Sequence, residues 1–396
     1  MDNLSGYLRW RGDLSFVQSP FNEVDGLVFC YLAYVNLDGI APENPEESIT
    51  VKEVAEQFFT LRTQAELDAD RSLIRNAPYL MKEMAKTRRF AQALIKNYTN
   101  KISDIKELQF SAMEILPGDG SSYVAYRGTD DTIVGWKEDF NLSTGTIPAE
   151  KEAAGYLNRI AAYSDRPLRV GGHSKGGNLA VFGASECELS VQKRIRRVYN
   201  YDGPGFNAEF FERPGIHRIQ SKIRRFIPEF SIFGMLLEDT TEPTVIKSSQ
   251  KGIMQHAGLS WQIEGPVFVR GKGLDAAAQI FSDSMETWLA QSDDEQKNLF
   301  IDDLFSVMEA PGFETLSELQ AGGLYSIRKM WQRLDKLNPH TREKVDELIR
   351  IMMGHWGEFL QMRLPVMPDA KKLQKLSSVM EHKKFSEKRK KNPDFR

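Results

Sequence analysis

The sequence predicts an α/β fold, a mostly parallel sheet flanked by helices, with a helical appendage toward the C-terminal end. Three observations carry that expectation. Short apolar runs alternate with stretches of helical spacing between about residues 108 and 263, the pattern of strand–helix–strand units. One of those units passes through a glycine-rich turn, GHSKG at residues 172–176. After about Gly273 the strand signal stops and only helical stretches follow.

Taken in order, PFNEVDGLVFCYLAYVNLDGI (residues 20–40) has a start signal and apolar residues near helical spacing, so it predicts a buried helix. From Ile49 to about Tyr98, VKEVAEQFFTLRTQAELD and YLMKEMAKTRRFAQALIKNY predict amphipathic helices. LQFSAMEIL, the turn GDGSS and YVAYRG predict a hairpin of strands. Further strands are expected at Leu168–Gly171, Arg197–Tyr201, Arg224–Ile227, Thr244–Ile246 and Leu259–Ile263, with helices over Pro148–Ala162 and Asn178–Lys193. Four helical stretches then run from LDAAAQIF to GHWGEFL, separated by acidic or Pro/Gly breaks. The organisation expected is an N-terminal helical segment packed on the core (1–107), the core (108–270), a helical appendage (271–370) and a basic tail (371–396).

Composition narrows the function classes. The chain has 396 residues, is 41% hydrophobic and carries a net charge of −3, enough to bury a large core and nothing that points to nucleic acid. Two cysteines, Cys30 and Cys187, offer neither a disulfide framework nor metal-ligand spacing, which fits a reducing compartment. No run approaches the roughly 18 apolar residues of a spanning helix, so the expectation is a soluble, cytoplasmic protein. Residues 371–391 hold nine Lys/Arg against Glu381 and Glu387. Such a run is a solvated end, or a weak contact for an anionic membrane surface.

Ser174 lies at the centre of the glycine-rich turn, with RPLRVGG as a strand before it and NLAVFGASECEL as a helix after it. In a strand–elbow–helix arrangement, small neighbours allow a strained backbone that lifts a serine hydroxyl into the open. The helix N-terminus aims N–H groups at a developing oxyanion. A phosphate loop needs the order G-x-x-x-x-G-K-[ST], which SKGG reverses. A nucleophilic serine needs a base, and of six histidines His256, between the last two expected strands, is the choice. For the acid the sequence favours Asp202, at the end of the strand after the serine helix, with Glu229, Glu238 and Asp239 as alternatives after the next strand. The oxyanion hole expected pairs the Lys175 N–H with Thr129, in the turn Arg127-Gly128-Thr129-Asp130.

These stretches carry a resemblance. YVAYRGTDD, GWKEDF and VGGHSKGGNLA resemble the fungal-type (class 3) lipases, in which an Arg-Gly-Thr/Ser turn precedes a GHS-x-GG elbow. The set as a whole, from PFNEVDGLVFCYLAY through YNYDGPGF and FIPEFSIFGMLL to QHAGLSWQIEG, is more closely similar to the Mbeg-like α/β-hydrolases of bacteria. The similarity covers about residues 4 to 265. It implies an α/β-hydrolase fold, Ser174 and His256 as nucleophile and base, and Thr129 at the oxyanion hole. The chain departs from the lipase pattern at Lys175, where those enzymes carry Leu, and at Ser231, which stands where they carry the acid. The acid is therefore not transferred.

The activity expected is that of a serine hydrolase cleaving a carboxylic ester, with lipids and acylglycerols among its substrates, through an acyl-enzyme and without metal or organic cofactor. A thioesterase or peptidase would use the same triad. A catalytically idle hydrolase fold, acting as a binding or scaffold protein through its appendage and tail, is the reading from another class.

Overall fold

Eight strands form one sheet whose spatial order follows the chain: β1 (Ile49–Thr50), β2 (Leu94–Ser103), β3 (Leu108–Leu116), β4 (Ser122–Tyr126), β5 (Leu168–His173), β6 (Ile195–Tyr201), β7 (Ile223–Pro228) and β8 (Thr244–Ile246). The first four pair antiparallel, and β4 through β8 pair parallel. The computed structural model describes residues 2–350 apart from 70, 71, 73, 104–107, 130–132, 134–136, 138–145, 314 and 340. The chain divides into two units, Met1–Met352 and Met353–Arg396; the second, which contains the basic run 371–391, lies outside the described residues.

Strand order has a consequence for the layers. Crossovers between parallel strands are nearly always right-handed, so strands added in one direction put every crossover helix on one face. The opposite face must be covered by something else. Helices α1 (Leu4–Arg11), α2 (Glu23–Leu32), α3 (Val51–Leu61) and α5 (Ala77–Met84) do this, with the surface helix α4 (Gln64–Ala69) between the last two. The crossover face carries α6 (Pro148–Ala161), α7 (Lys175–Glu186), α8 (Leu189–Arg194), α9 (Ala208–Phe211) and α10 (Pro214–Ile219). Alternation along β4 feeds both cores: Tyr123 and Ala125 point into the first, Val124 and Tyr126 into the second.

Two elements differ from the sequence expectation. Residues 94–98, expected to end a helix, begin β2. A register shift between Lys96 and Thr99, with Asn97 at φ 51°, puts Ile95 and Tyr98 into the same core. That three-residue spacing mimics a helix. The expected strand Leu259–Ile263 is instead a 3-10 turn over Gly258–Ser260, followed by a short ribbon of β9 (Ile263–Glu264) and β10 (Val267–Phe268). The Ser260 N–H and hydroxyl both donate to the Ala257 carbonyl, at 2.8 and 2.6 Å, which folds the chain into a turn here.

The appendage comprises α11 (Ala276–Gln291), α12 (Asp294–Glu309), α13 (Leu316–Ala321), α14 (Leu324–Leu334) and a helical stretch at residues 341–350. Asp293 and Gln296 cap α12 reciprocally. Leu304, Phe305, Met308, Met330, Leu334, Val345 and Leu348 are buried. No helix among the described residues is long and apolar enough to cross a membrane, and both cysteines are buried and free.

The N-terminal layer is pinned by one buried ion pair. Arg89 donates to both oxygens of Asp25, at 2.8 and 2.6 Å, and to the carbonyls of Leu14, Ser15, Ser19 and Pro20, while its guanidinium lies 3.9 Å over the Phe16 ring. Tyr7 and the Asn22 N–H also donate to Asp25. Both side chains are fully buried, so removing one partner strands a charge. Arg89→Met is expected to cost about 3–5 kcal/mol, read as a lower urea midpoint; an unchanged midpoint would show that the pair does not hold this layer.

Candidate active site

Ser174 joins β5 to α7 with φ 58° and ψ −135°, a backbone region that costs a non-glycine residue on the order of 1–3 kcal/mol. The surrounding contacts hold it there. Its N–H donates to the Tyr201 carbonyl at 2.9 Å, and its carbonyl accepts from Gly177 at 2.8 Å. The turn works only because helix and strand nearly touch: a β-carbon on Gly172 would fall on the Gly176 backbone, and one on Gly176 would meet the Tyr126 carbonyl. The side chain is 5% exposed.

Asp202 follows β6 with φ 54°, and its N–H donates to the Phe226 carbonyl at 2.8 Å. Asn200 shapes the turn by accepting from the Gly203 N–H at 2.8 Å. The fully buried carboxylate accepts from His256 Nδ1 at 2.7 Å through Oδ2 and from the Ser231 hydroxyl through Oδ1. His256 ends the 3-10 turn Gly252–His256, and the Phe233 ring packs on it with centroids 4.7 Å apart. Trp261 Nε1 ties the same turn by donating to the Gln255 carbonyl at 2.9 Å.

A second imidazole supports the first. His173, at the end of β5, packs against His256 with ring centroids 4.7 Å apart and planes tilted by 35°. Its Nε2 lies 2.8 Å from the His256 carbonyl. A carbonyl only accepts, so Nε2 carries the proton and Nδ1 accepts from the Tyr34 hydroxyl at 2.9 Å. Tyr34 comes from the segment just after α2, so the N-terminal layer reaches the site directly.

The structure brings Ser174, Asp202 and His256 to neighbouring loop positions at the ends of β5, β6 and the strand-poor segment after β8, and gives the other carboxylates different surroundings. Asp239 pairs with Arg225 at 3.3 Å and caps the Thr241 N–H at 2.7 Å. Glu229 lies over Gly271, and Glu238 is tied by its backbone to Phe206. The 127–129 turn sits against the elbow: a β-carbon on Gly128 would stand 3.2 Å from Ser174 Cβ. Thr129 is buried, whereas Asp130 and Asp131 lie outside the described residues. Lys175 is buried at the first position of α7, an end of a helix that disfavours cations. Burial pushes the carboxyl of Glu150 up to about 7, against the Ile147 N–H, Arg213 and Lys175, which favour its charged form.

Sequence reasoning missed Tyr34, His173, Ser231 and Phe233 as parts of this site. For His173 a signal existed: an imidazole beside a strained serine has little access to water. Tyr34 and Phe233 carried none, because an aromatic on an apolar stretch is indistinguishable from core.

Burial, and then the neighbouring His256, push the His173 imidazole down to about 3, with the hydrogen bond to the His256 carbonyl opposing. The unfolded chain protonates this ring near pH 6.5. Between about pH 6.5 and 3 the unfolded state thus binds the extra proton, and His173 makes stability fall as pH falls. His173→Gln, which keeps a donor for the His256 carbonyl, is expected to remove this slope. Relative to wild type the variant should gain stability steadily from pH 7 to pH 4 in urea unfolding; a constant difference would contradict a neutral His173.

No curated protein matches the chain. A family model described as Mbeg1-like matches residues 84–306, more than half the chain, from the end of α5 into α12. The matched region contains Ser174, Asp202, Ser231 and His256, together with all of the parallel sheet. On that match and a mostly parallel, helix-flanked sheet consistent with an α/β-hydrolase, the chain belongs to the Mbeg1-like family.

Proposed function

We propose that the protein is a serine hydrolase acting on a carboxylic ester, with Ser174 as nucleophile, His256 as base and Asp202 as the orienting acid. The single observation that carries the reading is the His256–Asp202 hydrogen bond of 2.7 Å, donated by the imidazole of a loop beside a strained serine elbow to a buried carboxylate. The family match and the α/β fold are compatible with a hydrolase.

The chemistry follows from the tautomer. With Nδ1–H donated to Asp202, the basic nitrogen of His256 is Nε2, which takes the Ser174 proton as Oγ attacks the ester carbonyl. The negative oxygen of the tetrahedral intermediate would accept from the Lys175 N–H, at the start of α7, and from Thr129. The imidazolium then protonates the leaving alcohol, and water, activated by the same nitrogen, hydrolyses the acyl-enzyme. Ester, thioester and amide substrates share these steps and differ in the leaving group. The strained elbow favours an ester or lipid ester as first candidate only through its likeness to lipase elbows.

Ser174 is expected to react with a fluorophosphonate probe, and Ser174→Ala to abolish both labelling and hydrolysis of short-chain esters. Wild-type protein inert to the probe and to an ester panel would favour a binding or scaffold role instead. Asp202→Asn should lower kcat by about 10³–10⁴, the effect of a misoriented base. Asp239→Asn should cost less than about tenfold, below the effect of removing a triad member. If the second variant is the crippled one, the acid has been assigned to the wrong strand.

A further inference from the structure

We infer that Ser231 is a positioning residue for Asp202, and that the loop between β7 and β8 is built to aim its hydroxyl; this rests on the hydrolase reading above. Ser231 is 1% exposed, and its Oγ lies 2.5 Å from Asp202 Oδ1. The Gly234 N–H points at the same Oγ from 3.0 Å. An N–H can only donate, so the serine oxygen accepts there and its proton goes to the carboxylate. The polarity of the chain is thereby set: Gly234 N–H to Ser231, Ser231 O–H to Asp202, and the other carboxylate oxygen to His256 Nδ1–H.

A carboxylate held at one oxygen can still turn about its Cβ–Cγ bond. Held at both, by groups from different parts of the chain, its plane is fixed, and with it the direction in which the imidazole is drawn. The loop that supplies the second hold is itself clamped. Arg225, on β7 and 5% exposed, donates to the Gly234 carbonyl and to the Thr241 carbonyl, and pairs with Asp239. Gly234 is held on both sides, its N–H by Ser231 and its C=O by Arg225. A β-carbon on Gly234 would run into Asp202 Oδ1 and stand 2.7 Å from Ser231 Oγ, so glycine is what lets the three meet.

The hydroxyl also draws charge from the carboxylate. Without it, Asp202 is the stronger acceptor for His256 and favours the imidazolium more. Asp202 and the neutral His173, both in contact with His256, stay in place in the variant. Ser231→Ala is therefore expected to lower kcat by about tenfold or more, the scale of one hydrogen bond to a charged group. KM should stay within about twofold, and the acid limb of the kcat/KM–pH profile should move to higher pH. Ser231→Cys, close in size and a weaker donor, should shift both readouts the same way by less. A folded Ser231→Ala enzyme with wild-type kcat and an unmoved acid limb would overturn the inference, as would lost activity with the limb unmoved. The proton resonance of His256 Nδ1–H separates this from the activity itself. It should shift in Ser231→Ala even if the wild-type protein hydrolyses no ester tested, and an identical resonance in both proteins overturns the positioning role whatever the chemistry.

Discussion

Everything at this site depends on how closely α7 passes over β5. The contact between Gly172 and Gly176 leaves no room for a side chain, and it forces Ser174 into a left-handed backbone that the sequence would otherwise avoid. A strain of this size persists only where neighbours over-determine it. Here the Tyr201 carbonyl from β6 and the Gly177 N–H from α7 grip Ser174 on both sides. The same closeness brings the turn around Gly128 against Ser174, so the serine and the turn expected to serve its oxyanion are positioned by one packing event.

The order of the strands explains why an N-terminal layer reaches the candidate site. A sheet that grows in one direction leaves one face bare, and α1, α2, α3 and α5 cover it. That cover is not passive. Tyr34 donates to His173 Nδ1, and Tyr31 accepts from the Leu259 N–H at 3.2 Å, just beyond the His256 turn. The Asp25–Arg89 pin thus ties together the same layer that supplies a contact beside the loop carrying the imidazole.

Much of this could be read from the residues, and the failures have physical causes. The elbow was readable because a serine among four glycines, between a strand and a helix, has few other uses. The parallel strands were readable because they are short apolar runs bounded by turns. β2 was not: its bulge sets Ile95 and Tyr98 three residues apart, and periodicity alone reads that as a helix. The 258–260 turn was missed because its apolar neighbours are buried by a 3-10 turn closed through Ser260 rather than by a strand. Asp202 is favoured for its strand end, yet the sequence offers three rivals, and which of them meets an imidazole and which an arginine is a matter of the fold. Ser231 stands out along the chain only as a departure from the lipase pattern and His173 only as a neighbour of the elbow serine; neither position shows the contacts with Asp202 and His256 that the fold creates.

The proposed location of the acid has its own logic. β6 and β7 are neighbouring parallel strands, roughly 4.8 Å apart. A side chain leaving the end of either can approach one imidazole above them. What distinguishes the two ends is the buried cation between them. Arg225 sits on β7 among carbonyl oxygens, and its guanidinium needs a carboxylate where water is scarce. Asp239 serves that need, so it is held away from His256 by a charge it must neutralise. Asp202, at the β6 end, accepts instead from the imidazole, with a neutral serine contributed from the β7 side. A carboxylate at both ends would crowd two negative charges onto one ring and raise the proton affinity of one of them. A hydroxyl at the second end avoids that repulsion while still donating, and this is why the two strand ends carry different chemistry around the same histidine.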